Sequence, residues 1–264
     1  MIIANILAIA QKELQSYFAS PLYYVILAIF WLISGLFFVE ILLGAQGIIQ
    51  QVAISEQSGI PTDDIDVAYV FLNSFFSILG SLCLFVLPIL SMGLYSEERK
   101  RGTLELLATS PITNWVVALG KLVGVVIFFS VAILPLLLYE AIAFSAADPA
   151  FPVAVPLLAH FGLILFAAAI LSLGMFISSL TDSTILAAVM TFAIILLLWI
   201  VDSLANNFQG WFGEALKEIS LLESYNNLIQ GVINTNDIIL LFSYVVLGVF
   251  LSAQSIEILR FNRQ

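Results

Sequence analysis

The sequence predicts an all-α polytopic membrane protein with six transmembrane helices. Of its 264 residues, 62% are apolar and only 10% charged, whereas soluble domains sit near half apolar and a quarter charged. Six stretches (14–39, 67–96, 122–139, 149–181, 183–201 and 238–256) contain no Asp, Glu, Lys or Arg, and no histidine except His160. A helix needs roughly 20 apolar residues to cross the hydrocarbon. The runs are solidly apolar, which excludes the alternating ten-residue strands of a membrane barrel.

Each element follows in order. Residues 2–18 place apolar side chains at helical spacing with Lys12, Glu13 and Gln15 on the polar side, which predicts an amphipathic helix lying in the membrane interface. Pro21 breaks it, and the first span covers about 22–45. A polar, acidic loop over 46–66 leads to a second span at about 69–94, with Pro88 as a kink. The charged segment 96–111 precedes a third span at about 116–141 that contains Pro135. The fourth span at about 157–179 and the fifth at about 185–203 flank the polar turn SSLTDST at 178–184. An outer connection over 204–236, mildly amphipathic around Glu214–Leu222, leads to a sixth span at about 237–257. The whole of 1–264 reads as one transmembrane domain.

The basic residues set the orientation. Lys12, Arg99, Lys100, Arg101, Lys121, Arg260 and Arg263 fall on the side of both termini, and Lys217 alone falls on the other. The positive-inside rule then predicts cytoplasmic termini. The N-terminus lacks a basic region ahead of its apolar segment, so it does not read as a cleavable signal. Cys83 is the lone cysteine, which rules out an intrachain disulfide.

The segment 96–111 is more than a connector. Glu97, Glu98, Arg99, Lys100 and Arg101 extend the second helix into the cytosol, and Gly102 breaks it. Thr103 is placed to cap a short helix with Leu104, Leu106 and Leu107 on an apolar side beside Glu105, and Pro111 stops that helix. A capped apolar helix between charge and proline suits a cytoplasmic partner with a hydrophobic groove.

The run YSEERKRGTLELLATSPITNWVVALGK at 95–121, with SSLTDSTILAA at 178–188, resembles the ABC-2 type permeases, the membrane subunits of ABC exporters. The span count, the leading interfacial helix and the long outer connection agree, so the resemblance covers essentially the whole chain. Within that family it looks closest to permeases associated with gliding motility or with copper-enzyme maturation. The resemblance implies a coupling helix after Gly102 that docks on a separate nucleotide-binding subunit. Glu97, Glu98, Arg99, Arg101, Gly102, Thr103, Leu104, Glu105, Leu106 and Leu107 would form that interface. ATP and Mg are expected on the partner ATPase, with no cofactor, metal or catalytic residue in this chain. A second copy or a related permease would complete the membrane half, in a bacterial inner or plasma membrane, with no role for nucleic acid. The sequence has no G-x-x-x-x-G-K-[ST] motif, since Trp115 and Leu122 flank Gly120-Lys121 at the wrong positions.

Other residues carry weaker expectations. Gly120 and Gly124 form a G-x-x-x-G pair that would let another helix approach, and Lys121 beside them would snorkel to the boundary. Glu40 and Glu140, toward the outer ends of spans one and three, are candidates for the transport path or its exit, because acids in a membrane are costly. His160 has no serine in a G-x-S context to form a dyad and reads as a packing histidine. Two other readings stay open beside an exporter permease: a membrane anchor that transmits ATPase motion to an outer partner without moving solute, and an ion-coupled secondary transporter. Charge-free span centres argue against the second.

Overall fold

A computed structural model describes residues 2–58, 66–104, 112–145, 151–208 and 210–261. Those residues are helical throughout, with short turns and no strand. Six helical stretches are long and apolar enough to cross a membrane, spanning Pro21–Gln57, Val67–Lys100, Asn114–Phe144, Ala154–Leu180, Thr184–Ala205 and Thr235–Ile258. Six crossings return the chain to the side from which it starts. That side is called the terminal face below and the other the distal face.

Helix α1 (Ile2–Ala19) precedes α2 (Pro21–Leu43), with Pro21 at the first helical position, where its missing N–H is harmless. The supposed acidic loop after α2 is partly a helix, α3 (Ile48–Gln57). Ile48 and Val52 stand one helical turn apart, and Ile48 is buried. Asp63 and Asp64 lie outside the described residues. Asp66 caps α4 (Val67–Ser91) by accepting from the Tyr69 amide at 3.0 Å, so the second span begins two residues earlier than expected. Pro88 stays inside that helix. The break falls at Met92, after which α5 (Gly93–Lys100) carries the chain onward.

The third span divides at Pro135 into α6 (Asn114–Ile133) and α7 (Leu136–Phe144). Proline supplies no N–H to the ladder, and Trp31 Nε1 donates to the Ala132 carbonyl at 2.7 Å, just before the break. The fourth span, α8 (Ala154–Leu180), lies at the centre, with 72% of its most apolar stretch buried. Ser183 caps α9 (Thr184–Asn207) by accepting from the Leu186 amide. The outer connection folds into α10 (Trp211–Lys217) and α11 (Leu221–Ile229) before the last span, α12 (Thr235–Phe261).

The amphipathic part of that connection is α11, later than the sequence suggested. Its Leu221, Tyr225, Leu228 and Ile229 are buried. Tyr225 stacks on Phe166 with centroids 4.7 Å apart and donates its hydroxyl hydrogen to the Phe76 carbonyl at 2.6 Å. The core beneath it is aromatic: Phe38 meets Phe71 edge-on and stacks on Tyr139.

Candidate functional site

The segment that the sequence marks out begins where α4 ends, and three devices hold it in place. At its start, the Tyr95 and Ser96 amides both donate to Ser178 Oγ at 3.0 Å, and Ser178 in turn donates to the Met92 carbonyl at 2.7 Å. A helix that restarts after a break has orphan amides in its first turn, and the end of α8 satisfies two of them. In the middle, Arg99 donates to the Ser179 carbonyl at 2.8 Å. The two sequence runs singled out above, 95–121 and 178–188, therefore touch each other.

At its end, α5 closes in a Schellman turn. Thr103 N donates to the Glu98 carbonyl at 2.9 Å and Gly102 N to the Arg99 carbonyl at 3.1 Å. Gly102 adopts φ +70°, a left-handed conformation that glycine takes without penalty. The Thr103 hydroxyl also donates back to the Glu98 carbonyl, at 3.3 Å. Leu104 is buried at the threshold of the next segment. Glu105, Leu106 and Leu107, and with them the expected coupling helix, lie outside the described residues.

Below α5 sits a charge cluster that joins three elements. Lys121 on α6 is 1% exposed and does not snorkel. Its Nζ lies 2.8 Å from Glu13 Oε1 on α1 and 3.0 Å from Glu98 Oε1 on α5, and 5.0 Å above the Tyr95 ring. Lys12 adds a second cation, 2.7 Å from Glu98 Oε1 and 3.2 Å from Glu13 Oε1. Two ammonium groups thus balance two carboxylates. Burial works to lower the Lys12 ammonium, but its hydrogen bond to Glu98 and the charge of Glu13 outweigh that and hold it above the ordinary lysine value. Glu97 and Arg101 pair with each other at 3.5 Å on the exposed side of α5, where such a pair contributes little.

Of the polar residues of α1, Glu13 turns inward, while Lys12 and Gln15 stay exposed. The buried face of the helix is Ala10, Glu13 and Tyr17, while Ile2, Ile3 and Leu7 are exposed. The glycine pair explains why. A Cβ on Gly120 would stand 2.7 Å from Ile9 Cβ, and one on Gly124 would stand 2.8 Å from Glu13 Cβ. The G-x-x-x-G seam is filled by α1 of the same chain, and this close approach delivers Glu13 to Lys121. Tyr17 continues the contact: its hydroxyl donates to the Leu90 carbonyl at 2.6 Å and its ring stacks on Phe128. Burial raises the Tyr17 phenol well above its usual value, so it stays a donor.

A cleft of about 810 Å³ opens beside the cluster, lined by α1, the start of α2, α5 and the start of α6, with Lys12, Ser16, Glu97, Arg101 and Thr103 at its polar wall. On the distal side, Glu40 and Glu140 are not brought together. Glu40 is exposed near Gly44, whereas Glu140 is buried with its Oε1 3.6 Å from His160 Nε2.

Sequence reasoning missed Glu13, Lys121 and Ser178 as parts of the site. The adjacency of Lys121 to a glycine pair was the available signal, since a seam that admits a helix also admits what that helix carries. A family model described as ABC-2 family transporter protein matches residues 7–263. No curated protein matches the chain.

Proposed function

From its membership of the ABC-2 transporter family, to which this chain belongs, we propose that it is the permease subunit of an ABC exporter driven by a separate ATPase. The observation that carries this reading is the anchoring of α5. Its first turn is bonded to α8, its centre is ion-paired to α1 and α6, and its end is closed by a Schellman turn. A segment held to three other helices at this point passes a push on residues 104–111 into the bundle as a body rather than absorbing it as a loop. Glu97, Arg101 and Thr103 border the cleft and are placed to meet a partner, and Leu106 and Leu107 would seat in its groove.

The sequence contains no Walker A motif, which supports an ATPase on another polypeptide that carries ATP and Mg. The seven-to-one bias of basic residues toward the terminal face supports cytoplasmic termini in an inner or plasma membrane. Two such membrane halves would enclose the transport path.

The test is co-purification from mild detergent followed by mass spectrometry. We expect a soluble Walker-motif ATPase to accompany the wild-type chain and to be lost from Leu106→Asp, with membrane insertion unchanged. Recovery of the six-span chain alone, under conditions that preserve other membrane complexes, would overturn the reading. ATP hydrolysis by the assembled complex that no cargo stimulates would instead support a membrane anchor.

A further inference from the structure

We infer that Glu140 and His160 form a buried binding site for a single proton, shared between carboxyl and imidazole, in the distal half of the third and fourth spans. The inference starts from hydrogen-bond direction. His160 Nδ1 lies 3.0 Å from the Pro156 carbonyl oxygen. A carbonyl only accepts, so Nδ1 carries the hydrogen. In the neutral ring Nε2 is then a bare acceptor, and it faces Glu140 Oε1 at 3.6 Å. An ionised carboxylate has no hydrogen to give. Two lone-pair atoms would face each other in a site where neither Glu140 oxygen nor Nε2 has any hydrogen-bond partner among the described residues. One proton between them resolves the conflict, whether it resides as carboxylic acid or as imidazolium. Either way the pair is neutral overall, the state that a low-dielectric site favours.

The surroundings supply neither a substitute for that proton nor a place for a metal ion. Phe76 packs edge-on against the imidazole at 5.0 Å. Among the described residues no third histidine, cysteine or carboxylate joins the pair, and two ligands are too few for a metal ion. Most titratable groups on the neighbouring helices are engaged elsewhere. Tyr139 on α7 donates to the Trp31 carbonyl, Tyr69 on α4 to the Gln230 carbonyl and Tyr225 on α11 to the Phe76 carbonyl. Asp237 on α12 accepts from Asn227, and Asp202 on α9 from Ser220. Cys83 on α4 is a buried free thiol, and Glu40 on α2 is exposed. Neither Glu223 on α11 nor Glu257 on α12 forms an ion pair with the imidazole, and Lys121 on α6 and the charged residues of α5 belong to the terminal face.

The consequence is a link between proton and packing. When the two spans separate at their distal ends and both groups meet water, they return to ordinary values of about 4.3 and 6.5. Above about pH 6.5 the separated pair binds no proton while the packed pair binds one, so rising pH favours separation. Below about pH 4.3 the separated pair binds two against one, so falling pH also favours separation. The packed distal end is most favoured between these limits, and an outward-opening step would release the proton on the distal side.

The chain has a single histidine, so one nitrogen-15-labelled imidazole reports the site without assignment. The protein is purified through a histidine-free tag and held in lipid nanodiscs at about pH 7.5, above both ordinary values. Nitrogen NMR reads the imidazole, and infrared difference spectra in light and heavy water read any carboxylic acid. We expect one of two signatures in the wild type: an imidazolium, or a neutral Nδ1–H ring together with a protonated acid band. Glu140→Gln should abolish that band, or shift the imidazole titration by at least about one unit, a tenfold change in proton affinity. Asp148→Asn, an acid outside the described residues, and Glu40→Gln should leave both signals in place. A neutral ring with no acid band in the wild type overturns the inference, whether or not the variants fold. So does a signal that vanishes in Asp148→Asn rather than in Glu140→Gln.

Discussion

Lys121 shows how much a single buried charge depends on its surroundings. Its ammonium is closed off from solvent between Glu13 and Glu98, and an ion in that setting is tolerable only because each partner is present. Lys121→Met leaves Glu13 buried with only the partly exposed Lys12 beside it, and breaking a buried pair from one side costs about 3–5 kcal/mol. The variant should therefore melt at a clearly lower temperature in detergent or nanodiscs. The double variant Glu13→Leu/Lys121→Met should recover at least half of that loss, because Glu98 still has Lys12 at 2.7 Å. Equal melting of the single variant and wild type would show that the cluster is not closed as described. The sequence placed Lys121 near a boundary, where a long cationic side chain normally reaches water. Hydropathy carries no information on a carboxylate 108 positions away, so snorkelling was the natural reading and pairing was not visible. Glu140 and His160 were each conspicuous alone as polar groups in apolar runs. Their meeting depends on the relative rotation of two helices, which composition does not encode.

At the scale of elements, helix existence and helix surroundings differ in legibility. The six spans are readable because crossing hydrocarbon demands an unbroken apolar run, and the structure has six helical stretches long and apolar enough to cross. The ends shift where caps and breaks decide, as at Asp66, Met92 and Pro135. The short helices are less legible: the sequence predicts a loop where α3 forms, and the buried stretch of the outer connection lies later than its amphipathic pattern suggests. Both are short enough for tertiary packing to outweigh pattern. The most instructive case is α1, expected to face its charges to water. The close approach at Gly120 and Gly124 turns Glu13 inward and leaves Ile2, Ile3 and Leu7 outside, where they suit a lipid surface. Gly124→Leu tests that arrangement. Four extra carbons would press on Glu13 and on the Ala10 carbonyl, 2.8 and 2.9 Å from the first of them. Overpacking of this kind costs about 1–3 kcal/mol, and here it is relieved by lifting α1. The variant should show faster tryptic cleavage at Lys12 than wild type, with the six spans still protected. Unchanged cleavage would place α1 away from this seam.

For the whole molecule, burial is distributed unevenly among the spans, and that constrains where a cargo can cross. The fourth span is 72% buried over its most apolar stretch, whereas the first and fifth are 17% buried each. The centre of the bundle is filled: Phe71, Phe75, Phe76, Leu79, Leu87 and Phe166 are almost wholly inaccessible. The cleft at the terminal face draws its lining from α1, α2, α5 and α6 with their flanking turns, and from none of α8, α9 or α12. It therefore does not continue along the central helix. On the permease reading proposed above, a packed interior leaves the perimeter for a cargo, and a second membrane half would enclose a path there. The least buried spans are the surfaces with room for that contact. Cys83 is the only cysteine and is buried, so Cys83→Ala supplies a cysteine-free background. In native membranes, single cysteines at Leu32 or Leu36 on α2, or at Val189 or Leu197 on α9, all well exposed, should cross-link into dimers along at least one of the two helices. A cysteine at Ala167 on α8, which is fully buried, should not. Cross-linking along α2 or α9 that follows every third or fourth residue would identify the helix that faces the second half. Its absence along both, with the partner ATPase still bound, would mean that a different permease, or lipid alone, covers these spans.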